Sequence, residues 1–308
     1  MFLRCVRGAL AVLRLAAWGR GARLGLVAVV VAAATVLTGA GSAGGAGGTS
    51  RGHALDPRLF AAGSCVSFAP TSGHRHRTVF IDAGHGGPDP GAVGVTVAGT
   101  TVHEASETLR VALDALPALR AAGYRVVLSR TTDAAVARPV PGDLSGGVFT
   151  GQGVHRDLVA RDLCANRAKA SILVGLYFDA SESASVGGSL TLYDAARPFW
   201  SANRRLALLV QAAVLAQLHL RGWNVADDGV HTDVGYGSAV TNADRAYGHL
   251  LIIGPAKPGY FSSPSTMPGA LIEPLFLTDP AEASIADSPG GQLAIARGLA
   301  VAVQRYFA

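Results

Sequence analysis

The sequence predicts an α/β fold: a three-layer domain with a largely parallel, about six-stranded sheet flanked by helices, preceded by an N-terminal apolar helix. Three observations point there. Short runs rich in Val, Ile and Leu alternate with segments of helical spacing from Thr78 onward. Gly84, Gly86 and Gly87 let the chain turn sharply after the first run, and Gly123 ends the first helix. The chain, 308 residues and 49% hydrophobic, is also long enough to bury one generous core.

The N-terminal segment comes first. Arg4, Arg7, Arg14, Arg20 and Arg23 precede the apolar run LGLVAVVVAAATVL (24–37), and no acid occurs before residue 51. Basic residues ahead of an apolar core are the pattern of export, so residues 1–40 are expected to be a signal peptide or membrane anchor. Ala40, Ser42 and Ala43 suit a cleavage site, whereas extending the run through Ala43 reaches the roughly 20 residues of a spanning helix. No cysteine follows the core closely, which argues against a lipid anchor. Setting those five arginines aside leaves 21 bases against 21 acids. A formally neutral remainder excludes nucleic acid as the expected partner. Residues 41–75 are small, polar and irregular and are expected to be a flexible linker, with the domain occupying 76–308. Cys65 and Cys164 form an even pair in a chain expected to be exported, but spacing alone leaves open whether they are bridged.

Within the domain, VFIDAGHGG (79–87) reads as a strand that ends at Asp82 and turns sharply around His85. Leu109, Leu113, Leu116 and Leu119 mark a helix from about His103 to Ala122, with Pro117 inside it. YRVVLSR (124–130) is the second strand, 131–153 a long surface loop and 155–170 a helix. SILVGLYFDA (171–180) is the third strand and SLTLYD (189–194) the fourth. A helix over 200–221 follows, then HLLIIG (249–254) and ALIEPLF (270–276) as the fifth and sixth strands, and a closing helix from Gly291 to Tyr306.

His85 lies at the carboxyl end of a strand, the edge where open α/β sheets place ligands. Glu104 opens the following helix, where an acid also complements the helix dipole. Glu273 interrupts an otherwise apolar strand, and a carboxylate in that setting must be paired, ligated or at an end.

With these residues in place the chain resembles the zinc-dependent N-acetylmuramoyl-L-alanine amidases of the amidase_3 family. The resemblance rests on FIDAGHGG with PDPGAVG after it, Glu104, AAGYRVVLSRTTD (121–133), RDLCANRAKA (161–170), ILVGLYFDA and ALIEPLFLTDP, all in order. It implies an exported peptidoglycan hydrolase that cuts the amide between N-acetylmuramic acid and L-alanine. It further implies zinc held by His85 and Glu104, with Glu273 taking a proton from zinc-bound water. The partner implied is peptidoglycan, together with the membrane if residues 24–40 are retained.

One position departs from the family. Its third ligand is a histidine in the strand that here reads LVGLYFDA, and Tyr177 stands in that place. Four resolutions stay open. Tyr177 ligates as phenolate, at a deprotonation cost of about 4 kcal/mol at pH 7 before the metal offsets it. Asp179, two residues on, ligates instead. A histidine such as His103, His155, His231 or His249 folds over the site. Or tight zinc binding is lost, and the chain is a catalytically weak homologue that binds peptidoglycan or regulates another hydrolase. A zinc carboxypeptidase ranks lower, because the close H-x-x-E pair is absent. The segments 231–249 and 254–269 are expected to bring tyrosines and a histidine near the catalytic edge.

Overall fold

The structure is a computed structural model that describes residues 52–236 and 241–308. The signal or anchor expectation for residues 1–40, and the start of the expected linker, lie outside the described residues.

Among the described residues the strands are β1 (His53–Ala54), β2 (Ser64–Phe68), β3 (Thr78–Ala83), β4 (Val93–Val95), β5 (Thr101–His103), β6 (Arg125–Arg130), β7 (Leu144–Ser145), β8 (Val148–Phe149), β9 (Ile172–Leu176), β10 (Ser189–Tyr193), β11 (Asp227–Thr232) and β12 (Gly269–Glu273). The helices are α1 (Glu104–Ala121), α2 (Gly151–Arg167), α3 (Trp200–His219), α4 (Asn242–Tyr247), α5 (Pro280–Ala286) and α6 (Pro289–Tyr306). One sheet of eight strands runs in the order β1-β2-β6-β3-β9-β12-β10-β11, while β4-β5 and β7-β8 form small hairpins.

The sheet is mixed, which corrects the expectation of a largely parallel six-stranded one. β3 pairs in parallel with β6 and β9, β9 with β12, and β10 with β11. β2 runs antiparallel to β1 and β6, and β10 antiparallel to β12. Part of the expected linker supplies the extra edge. Ser64–Phe68 pairs with β6, and Cys65 is bridged to Cys164 of α2 with their Cα atoms 5.6 Å apart. HLLIIG is not a strand. It is a turn closed by the Gly254 N–H donating to the Leu250 carbonyl at 2.7 Å, and its Ile252 and Ile253 are buried as core. Those residues are apolar because they are covered, not because they are extended.

Alternation along the strands gives the sheet two different faces. Val79, Ile81, Val174, Leu176 and Ile272 point into an aliphatic core shared with α1, α3 and α6. Phe80, Leu173 and Leu271 point the other way, toward α2 and the disulfide. Gly298 allows α6 to approach α3 closely, since a Cβ there would lie 2.5 Å from the Val214 Cα. Asp82, Tyr177 and Glu273 follow the second set in register, so the polar residues of these strands collect on the α2 side.

Candidate active site

The turn after β3 forces His85 into the left-handed region, φ 59°. That conformation is strained for a residue with a Cβ, by about 1–2 kcal/mol, and the surroundings hold it. Arg161 Nη2 donates to the His85 carbonyl at 2.6 Å, and Nδ1 of the ring meets Asp89 Oδ2 at 2.8 Å. The other ring nitrogen, Nε2, lies 3.1 Å from Glu104 Oε1. Burial lowers the imidazole's affinity for a proton, but the Glu104 charge and the hydrogen bonds to Asp89 and Glu104 raise its pKa to about 10.

Glu104 is the first residue of α1 and is buried. Its Oε1 accepts the Phe178 N–H at 2.9 Å and its Oε2 the Ala92 N–H at 2.8 Å. Gly91 makes that approach possible, because a Cβ there would fall 2.6 Å from Oε2. Fully buried Arg130 fixes α1 to the end of β3. It donates to the carbonyls of Ala83 at 3.0 Å, Gly84 at 2.8 Å and Ala105 at 2.5 Å. The spacing between His85 and Glu104 is therefore built into backbone contacts.

Tyr177 follows β9 and lies beside the His85 ring, edge-on at 5.3 Å between centroids. Its hydroxyl points elsewhere, donating to Asp82 Oδ2 at 2.9 Å. Asp82 Oδ1 accepts from Arg161 Nη1 at 2.8 Å, and Arg161 also pairs with Asp157 Oδ2 at 2.8 Å. Burial, and then the adjacent Asp82 charge, push the Tyr177 phenol well above its ordinary range. It stays protonated at neutral pH, the opposite of what a phenolate ligand requires.

Glu273 ends β12 and interacts with Asp179, which follows β9. Burial, and then the Asp179 and Glu104 charges, push the Glu273 carboxyl well above the usual carboxylate range. Burial raises Asp179 as well, while the Ala180 N–H at 2.6 Å and the hydrogen bond from Glu273 restrain it. Burial and the neighbouring carboxylates thus favour the protonated form of Glu273 beside Asp179.

His85, Tyr177 and Glu273 open into a cavity of about 250 Å³. Tyr236, Tyr247 and Tyr260, from the two long segments singled out in the sequence, line the same cavity, although residues 237–240 lie outside the described ones. Three of the other candidate histidines have contacts elsewhere. His155 packs on Tyr260 at 4.6 Å, His231 Nε2 meets the Asp228 carbonyl at 2.5 Å, and His249 sits with Asp194 and Asp233. His103 caps α1 in position only, with no side-chain hydrogen bond to the helix. Asp89, Asp82, Arg161 and Arg130 escaped sequence reading. Asp82 carried one usable signal, a charge inside an apolar strand.

Residues 79–305 match the family of N-acetylmuramoyl-L-alanine amidases, well over half of the chain. The chain belongs to this family. It is a peptidoglycan amidase, a hydrolase of the bond joining N-acetylmuramic acid to L-alanine. The amidase domain is 26% identical over 238 residues to the germination-specific N-acetylmuramoyl-L-alanine amidase of Bacillus subtilis, covering 77% of this chain and 81% of that one. It is 28% identical over 208 residues to N-acetylmuramoyl-L-alanine amidase LytC of the same species, covering 67% of this chain but 31% of LytC, so it spans about a third of that relative. Among solved structures, an N-acetylmuramoyl-L-alanine amidase from Clostridium difficile 630 aligns with a TM-score of 0.52 at 24% identity, over 75% of this chain and 96% of that one. The CwlD amidase of Clostridioides difficile, solved in complex with the GerS lipoprotein, aligns at 0.54 and 20% identity, over 75% and 98%. At these identities the structures speak to the fold.

Zinc dependence is general in this family. His85 Nε2 and Glu104 Oε1 fit two positions of such an ion, and Asp89 behind His85 is the outer partner a ligating imidazole requires. A third histidine, cysteine or carboxylate oxygen does not join them within ligand distance among the described residues. With Tyr177 committed to Asp82, the donor set falls one short of the three protein ligands of a catalytic zinc site.

Proposed function

We propose that Glu273 and Asp179 together move the protons of muramoyl-L-alanine hydrolysis, at a site whose geometry is held by His85, Glu104 and Asp89. The observation that carries this is Glu273 at the end of β12, lining the cavity beside His85 with Asp179 as its neighbour, where burial favours a proton on Glu273. The ionised member accepts a proton from the attacking water, and the protonated member returns one to the departing alanine nitrogen, so the pair ends as it began. The tyrosines of the long segments form the wall against which the sugar-linked lactyl group and peptide are oriented. Among the described residues, His85 and Glu104 are the two present for a family-type zinc, one ligand short, so the proton transfers are assigned to this chain's own carboxyl groups.

Replacing Glu273 with Gln removes the proton carrier but keeps the side chain's shape. Release of L-alanine-linked peptide from purified muropeptides should fall roughly 100-fold or more. Wild-type rates in Glu273→Gln would assign the proton transfers elsewhere.

A second reading, peptidoglycan binding with little turnover, is favoured by Tyr177 in the place of the third ligand. The same assay separates the two readings, since a binder sediments with sacculi while releasing no peptide. In either case the working compartment is the cell envelope, reached through residues 1–40. The Cys65–Cys164 bridge suits an oxidising environment. Among the described residues no helix is long and apolar enough to cross a membrane.

A further inference from the structure

We propose that Asp194, Asp233 and His249 form a second metal site, for zinc or a similar divalent transition ion, at the rim of the sheet opposite Glu273. The separation follows from strand direction. β10 runs antiparallel to β12, with Leu190 facing Glu273 and Leu192 facing Leu271. Asp194 lies two residues beyond Leu192, so it is four strand positions, about 13 Å, from the Glu273 level. β11 runs parallel to β10, and Asp233 follows its last residue at the same rim.

Both aspartates are fully buried and built alike. Asp194 Oδ1 accepts the Ala196 N–H at 2.8 Å, and Asp233 Oδ2 accepts the Leu250 N–H at 3.0 Å. Each carboxylate is thus fixed through one oxygen and presents the other to His249. Asp233 Oδ1 lies 3.2 Å from His249 Nδ1 in hydrogen-bonding geometry. Asp194 Oδ2 lies 3.0 Å from the same nitrogen, an ion-pair distance if the ring is protonated, but makes no hydrogen bond. An oxygen left this way is costly unless something positive meets it.

The three atoms lie within 4.8 Å of one another. Tetrahedral ligands at 2.0–2.2 Å from zinc stand roughly 3.3–3.5 Å apart, close to the spacings found here. Charge points the same way. Two buried carboxylates and one imidazole remain net negative even when the imidazole is protonated, and the nearby Arg197 guanidinium is shared with Asp162, whereas a dication neutralises the pair. Burial and the Asp194 charge raise Asp233 to about 6, and the hydrogen bonds to His249 and Leu250 offset them only in part. One imidazole and two carboxylates suit zinc or a neighbouring transition ion, while calcium takes six to eight oxygens. An ion here ties the ends of β10 and β11 to His249, at the start of the cavity wall that continues through Leu250 and Ile252.

The test uses full-length protein stripped with a chelator and titrated with zinc, then with cobalt(II) for its visible spectrum. We expect an ion that binds equally well to wild type and His85→Ala, with affinity at least about tenfold weaker in Asp194→Asn and His249→Gln. The cobalt bands should disappear in those same variants. Asp233→Asn replaces any variant whose circular dichroism shows it unfolded. Unchanged binding in the rim variants, loss of all binding in His85→Ala, or no binding by wild type would each overturn the proposal. Metal content is read apart from amide cleavage, so the outcome is independent of the role given to Glu273.

Discussion

The two faces of the central sheet solve opposite problems. Toward α1, α3 and α6, β3 shows Val79 and Ile81, and the partners are aliphatic throughout. One residue further, Asp82 faces α2 and meets Arg161, which in turn holds Asp157 and the carbonyls of Ala83 and His85. Apolar burial stabilises without specifying direction, whereas a buried guanidinium with four fixed partners specifies direction at little net gain. The aliphatic face keeps the domain folded. The charged face keeps a few atoms in place.

The comparison breaks most easily at Arg161. Arg161→Met leaves Asp82 and Asp157 buried without their cation and should destabilise the domain by about 3–5 kcal/mol in denaturant melts. A loss under about 1 kcal/mol would show that the chain of charges is not held as a unit. On the opposite face, Leu299→Ala removes packing alone and should lower stability by about 2–5 kcal/mol. Cleavage per folded molecule should be unchanged, and a drop in that rate would mean the faces are not separable. Tyr177→Phe sharpens the contrast, because it removes only the hydroxyl on Asp82. Stability should fall by about 1–3 kcal/mol while zinc affinity at His85 and Glu104 stays constant; weaker zinc binding would make Tyr177 a ligand after all.

The smallest expected effect lies at the rim, outside both faces. Burial raises Glu282 to about 7, though its carboxylate accepts the Phe276 N–H at 2.7 Å. Its folded pKa exceeds the ordinary 4.5, so its contribution to stability is complete below pH 4.5 and is lost as pH rises through about 7. Glu282→Gln should flatten the melting temperature over that interval, and an unchanged slope would place the titration on another group.

The aliphatic face was largely legible in the sequence, because VFI, LVGL and ALI are short apolar runs between turn residues and their register follows from alternation. The charged face was legible only in part. Glu273 stood out as a charge in a strand, and Asp82 carried a like signal that went unread, but Arg161 is 79 residues from Asp82, and no local pattern pairs them. Asp89 sits in a Pro- and Gly-rich turn where an aspartate is ordinary. His85 and Glu104 came together through resemblance, and their 3.1 Å separation depends on Arg130, which local patterns do not reveal. β2 was hidden by the small, polar residues around it, and β11 by its own DDGVHT, an edge strand with little to bury. HLLIIG misled in the other direction, since a covered turn and a buried strand share one composition.

The reversal between β12 and β10 has a consequence for how such a domain can change. A wholly parallel sheet offers one rim where strands hand over to loops of variable length, and every new loop there competes for room with the chemistry already in place. By turning β10 and β11 around, this sheet gains a second rim where segments can lengthen while β3, β9 and β12 keep their ends undisturbed. Beyond β11, Tyr247 and His249 line the cavity. The lining of the cavity can therefore change from a rim about 13 Å from the level of Glu273.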